Sequence, residues 1–162
     1  MDKAATAGLL SADPIDFASN TLAIVVAPGN PKNVTSFADL ARAGLSVVAC
    51  APQVPCGSAT EKVERATKVT LDPVREESSV TDVLNKVTSG QADAGLVYVT
   101  DALGAGSEVT KVDFPEASAA VNTYPIAVLK GAADSDAAGE FVDLVTGEAG
   151  QKILSQAGFA KP

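Results

Sequence analysis

An α/β layered fold with a mainly parallel sheet is predicted by three observations. Short apolar runs of strand length recur along the chain, glycine- or proline-bearing turns close them, and segments of helical period lie between them. At 162 residues and 46% hydrophobic content, the chain can form one domain, or two small lobes sharing crossing strands, around a filled core.

Met1 to Leu10 reads as a short helix ending near Gly8, with no preceding cap, so the chain reads as beginning in mid-fold. Thr21 to Ala27 is a continuous apolar run stopped by Pro28-Gly29-Asn30-Pro31, which predicts a strand buried on both faces. A short helix over Ser36 to Ala41, capped by Thr35 or Ser36, comes next, then a second buried strand over Leu45 to Cys50. Beyond a proline-bearing loop, Gly57 opens a helix to about Lys68, and Pro73 to Glu77 is extended. Val80, Val83, Leu84 and Val87 form one helical stripe ended by Gly90, and Ala94 to Val99 is a strand. A further apolar strand over Tyr124 to Leu129 is the expected return crossing. Helices over Ala133 to Val145 and Gly147 to Gln156 precede the closing Gly158-Phe159.

Composition removes several classes of function. A net charge of −8, with five Phe, two Tyr and no Trp, provides neither a basic face nor stacking platforms for nucleic acid. The absence of histidine excludes the usual metal clusters and His-based catalysis, so no metal ligand or cofactor is assigned. Asp93, Asp101, Glu76 and Glu77 lie on turns or helix ends without a companion nucleophile or base, and the chain is not read as an enzyme. Lys62, Arg65 and Lys68 with Glu61 and Glu64 read as a solvated helix face. No apolar run approaches the roughly 20 residues needed to cross a bilayer, and Met1 to Ala5 does not lead from a basic region into an apolar one, so no signal peptide is read.

The binding candidates are backbone groups. Ser79-Val80-Thr81-Asp82 is a capping-box-like start in which the Ser79 hydroxyl accepts from the Asp82 amide, leaving the Val80 and Thr81 amides to donate elsewhere. Pro55-Cys56-Gly57-Ser58 is a second helix entrance, where Gly57 permits close backbone approach and the Cys56 amide points out along the axis. Tyr98 ends a buried strand with a phenolic donor. Taken singly, these are a cap, a turn and a core aromatic. Open α/β sheets, however, hold ligands beyond the carboxyl ends of their strands, where all three fall, so together they predict capture of a small oxyanion. Cys50 and Cys56 flank a turn-rich loop that suits a disulfide in an oxidising compartment and equally suits two small buried thiols.

In order and spacing, several stretches resemble the molybdate-binding proteins of ABC transporters. They are Met1-Asp2-Lys3 with Ala7-Gly8-Leu9, Phe17-Ala18 with Asn20, Gly29-Asn30-Pro31, Val54-Pro55 with Gly57, Val80 to Tyr98 including Gly95-Leu96-Val97-Tyr98, Phe114-Pro115, Tyr124-Pro125 and Gly158-Phe159. The resemblance implies a type II periplasmic-binding-protein fold, with residues 28–112 as a second lobe and residues 1–27 and 113–162 as a first lobe lacking its opening strands. It implies an oxyanion held by neutral donors: the Cys56 and Val80 amides, the Tyr98 hydroxyl, and two serines from the part of the first lobe not found here. Cys56 stands where the family commonly has alanine, and a Cys50–Cys56 disulfide would either twist that loop or pre-organise it.

The expected function is therefore binding of molybdate, with tungstate alongside it, by two lobes that close over the anion and present it to a membrane permease outside the cytoplasm, with no reaction of its own. Without the serines, affinity is expected to be weak, and the incomplete lobe is expected to expose apolar surface that promotes homo-oligomers. The alternatives are a sulfate or other tetrahedral-oxyanion binder, a regulator's effector-sensing domain, for which no helix-turn-helix segment is found, and a fragment without ligand.

Overall fold

The computed structural model describes all of residues 1–162. In chain order the elements are α1 (Asp2–Thr6), β1 (Ile15–Asn20), β2 (Leu22–Val26), β3 (Val47–Cys50), α2 (Pro55–Thr67), β4 (Arg75–Glu77), α3 (Val80–Thr88), β5 (Ala94–Tyr98), α4 (Val99–Gly104), β6 (Thr110–Val112), β7 (Asn122–Ile126), α5 (Ser135–Thr146) and α6 (Glu148–Gln156). Short 3₁₀ turns occupy Ala38–Ala41, Gly106–Glu108 and Pro115–Ala120. No helix is long and apolar enough to cross a membrane.

The chain divides into two compact units, one of Met1–Ser19 with Thr123–Pro162 and one of Asn20–Asn122. These junctions differ from the 27/28 and 112/113 boundaries expected from sequence. The first moves because β2 hydrogen-bonds along its length to β5, Leu22 opposite Tyr98 and Val26 opposite Ala94, and the second because Phe114, Ala117 and Ala120 are buried in the same core.

In that larger unit the strand order is β4-β3-β5-β2-β6. Strand β3 is parallel to β4 and to β5, whereas β2 is antiparallel to β5 and to β6. The sheet is therefore mixed rather than mainly parallel. A strand covered on both faces reads as an unbroken apolar run whichever way it points, so the pattern of Leu22 to Val26 carries no direction. All residues of β2, β3 and β5 are buried, as the continuous runs require. The rings of Phe37 and Phe114 pack 5.6 Å apart beside this core.

Helix α3 turns Val83 and Val87 toward the sheet. It lies so close to β5 that a Cβ built on Gly95 would sit 2.7 Å from Val83 Cγ1 and 3.1 Å from Val87 Cγ2. Gly95→Ala is expected to destabilise the protein by about 1–3 kcal/mol, seen as a lower urea midpoint at unchanged slope.

The smaller unit pairs β1 with β7. Tyr124 meets Phe159 edge-on at 5.5 Å and Phe17 at 6.4 Å, and Ser19 and Ala160 exchange backbone hydrogen bonds of 2.8 and 2.9 Å. Neither α5 nor α6 buries a residue fully, and Phe141, Leu144 and Ile153 are 60%, 59% and 67% exposed. A two-stranded sheet with two helices offers too little apolar cover for those faces.

Candidate functional site

The order β4-β3-β5, with β3 leading through α2 to β4 and β4 leading through α3 to β5, sends successive crossovers in opposite directions from β3. Such a reversal leaves a crevice at the carboxyl ends of the strands, here between β3 and β5. Register fixes which residues reach that edge: Cys50 pairs opposite Glu77, and Val48 opposite Gly95. The loop after Cys50, the entrance to α3 and Tyr98 thus leave the sheet on one side.

At the α3 entrance the capping expected from sequence is present. Ser79 is extended, its hydroxyl accepts from the Asp82 amide at 3.2 Å, and it donates to Asp82 Oδ2 at 2.7 Å. The Val83 amide returns to the Ser79 carbonyl at 3.3 Å. The Val80 amide, in the first turn, has no intrahelical acceptor and lies at the positive end of the helix dipole.

Helix α2 starts at Pro55, two residues before the expected Gly57, because proline's fixed φ suits the first helical position and its missing N–H costs nothing there. Cys56 is the next residue, and its amide is among the first-turn donors without an intrahelical acceptor. The preceding loop is tied back tightly. The Val54 amide donates to the Ala51 carbonyl at 3.1 Å, and Cys50 is disulfide-bonded to Cys56. A Cβ on Gly57 would overlap the Ala51 carbonyl, so the close approach read from sequence is real. The Ala51 amide donates to the Glu77 carbonyl at 2.8 Å, which ties this loop to the strand that leads into Ser79 and Val80.

Tyr98 is 9% exposed at the end of β5, where its amide donates to Asp101 Oδ2 at 3.0 Å. Burial pushes the Asp101 carboxyl above its ordinary range, and the Tyr98 amide opposes that shift. A raised carboxyl favours the fold below its unfolded value near 3.8, and this advantage is lost as pH rises through the folded value. Asn20 adds a second tie at this end, donating to Thr100 Oγ1 at 2.9 Å and accepting from the Thr21 amide at 3.0 Å.

The roles of Asp101, Asn20 and the Ala51 amide were not predicted from sequence. The first two show only as polar residues flanking a buried run, and the third is a backbone group that pairs 26 positions away in sequence with Glu77. Of the other acids considered, Asp93 accepts from the Ser46 amide at 2.9 Å, a structural task. Glu64, expected on a solvated face with the Glu61–Arg65 pair seen at 3.5 Å, instead accepts from the Leu71 amide at 2.7 Å.

A mixed α/β sheet with two helix starts at its switch point is an arrangement that holds ligands beyond the strand ends. The chain belongs to the bacterial extracellular solute-binding protein family, which it matches over residues 1–160. It is 60% identical across all 162 residues to the molybdate-binding protein ModA of Mycobacterium tuberculosis, and spans 62% of that relative's length. Among solved structures it resembles the periplasmic molybdate-binding protein of Azotobacter vinelandii with a TM-score of 0.71 and 23% identity, covering 99% of this chain and 74% of that one. It also resembles the sulfate-binding protein SubI of Mycobacterium tuberculosis with a TM-score of 0.73 and 23% identity, covering 99% and 64%. The fold is thus the type II periplasmic-binding-protein fold expected from sequence, and the family is one of binding proteins rather than enzymes.

Proposed function

We propose that this chain binds molybdate, and tungstate as an anion of the same shape and charge, through the Cys56 and Val80 amides and the Tyr98 hydroxyl. The observation that carries this reading is the arrival of three neutral donors at one sheet edge, two of them at helix starts whose dipoles favour an anion. A net charge of −8 does not oppose it, because local donors act within a few ångström while the distant field is screened beyond about 10 Å. The molybdate-binding relative supports the choice of anion. The bound solute would pass to an ABC-type permease outside the cytoplasmic membrane, with Asn20–Asn122 serving as the more complete lobe of the family fold.

Titration of molybdate into the isotope-labelled chain is expected to move the Cys56 and Val80 amide resonances saturably but weakly, with tungstate acting alike and phosphate ineffective. Sulfate is the competing reading, favoured by the likeness to a sulfate binder, and tighter binding of sulfate than of molybdate would replace one by the other. The exposed Phe141, Leu144 and Ile153 support self-association through α5 and α6. Light scattering should then show a mass that rises with concentration, and Phe141→Glu should return it to that of the monomer.

A further inference from the structure

We infer that the Cys50–Cys56 disulfide is a positioning pair for the anion site, so that the redox state of these two sulfurs sets its affinity. The inference rests on the reading of Cys56 as an anion donor given above. It starts from what the bond connects. Cys50 is the last residue of β3, and Cys56 is the second residue of α2, so the bond fastens the donor-bearing first turn to the edge of the sheet. Both cysteines are only 4% exposed, whereas Pro52, Gln53 and Pro55 between them are exposed, so the bond anchors an otherwise solvent-facing turn to the core.

The bond does not distort the helix entrance. Val54 keeps the extended backbone of an ordinary N-cap, at φ −104° and ψ 158°, and the Ser58 amide returns to the Val54 carbonyl at 3.0 Å. Of the two effects a disulfide could have on this loop, the geometry points to pre-organisation. The bond is also coupled to the second donor. Inside the closed loop, Ala51 donates to the Glu77 carbonyl three residues before Val80, so fixing the loop fixes the separation of the two helix entrances.

With the bond cut, residues 51–55 are still tied by the Val54 to Ala51, Ala51 to Glu77 and Ser58 to Val54 hydrogen bonds, but lose the covalent link between strand and helix. The anion must then order the Cys56 amide as it binds, and that ordering cost appears as lost affinity. Reduction is by a dithiol: the protein S–S bond breaks, two electrons and two protons pass to the sulfurs of Cys50 and Cys56, and the reductant closes to its cyclic disulfide.

The test is a molybdate titration followed at the Cys56, Gly57 and Val80 amides in three samples: the oxidised chain, the chain reduced with dithiothreitol and verified by thiol titration, and Cys50→Ala/Cys56→Ala, which retains the backbone amide. The expected result is binding about tenfold weaker in the reduced chain and in the variant, with recovery on reoxidation. Faster hydrogen exchange at Cys56 and Gly57 than at Val80 is expected with it, under unchanged far-ultraviolet circular dichroism. Affinities within twofold of each other in all three samples overturn the inference and leave the anion-binding reading standing. No response to molybdate at Cys56 and Val80 in the oxidised chain overturns that reading, and this inference with it. Unfolding of both the reduced chain and the variant also overturns it, because the bond would then serve the fold rather than the site.

Discussion

Gly57→Ala is expected to lower the stability of the protein by about 3 kcal/mol or more, at the upper end of what overpacking costs. The methyl group would overlap the carbonyl of Ala51 and lie 2.7 Å from that of Cys50, so everything it meets is backbone. Side chains commonly rotate out of such a clash, but here the loop itself must move. It is held at both ends by the Cys50–Cys56 bond and again next to Cys50 by the Ala51 to Glu77 hydrogen bond. For a chain of this size each kcal/mol lowers the melting temperature by roughly 2–4 °C, so a fall of roughly 6–12 °C is expected by calorimetry. A change under 2 °C would contradict the close packing described. The same substitution made in Cys50→Ala/Cys56→Ala should cost less, because the loop is then released to yield. A double-mutant cycle should therefore return an interaction energy of the sign that marks relief.

Gly57 also marks where sequence and structure agree and where they part. Its use for close approach was legible from its place after Pro55-Cys56, as was the Ser79 cap from its spacing to Asp82, because both depend on residues within one turn of each other. The stripe of Val83 and Val87 and the buried runs of β2, β3 and β5 were legible for the same local reason. The direction of β2 was not, since a run buried on both faces looks alike in parallel and antiparallel pairs. The pairing of Ala51 with Glu77, the capture of the Tyr98 amide by Asp101 and the bond from Asn20 to Thr100 belong to tertiary register. No periodicity records register. The types of donor at the candidate site could thus be read from the chain, whereas the ties that hold them in place could not.

Tyr98→Phe is expected to weaken molybdate binding by about 10- to 150-fold, the loss of roughly 1.5–3 kcal/mol that follows removal of a hydrogen bond to a charged group. The substitution is narrow. The ring stays to fill the end of β5, Leu22 remains opposite it, and the backbone amide still donates to Asp101. Stability should therefore change by less than about 1 kcal/mol, the usual scale of one neutral hydrogen bond. Tyr124→Phe is the matched control, since Tyr124 is the other tyrosine of the chain and packs between Phe17 and Phe159. Its affinity should stay within twofold of the parent. The two amide donors should still shift with molybdate in Tyr98→Phe, only at higher concentration, because they depend on helix starts that the phenol does not hold in place. Equal affinities for Tyr98→Phe and the parent chain would remove the phenol from the site and leave the anion with the two helix entrances alone.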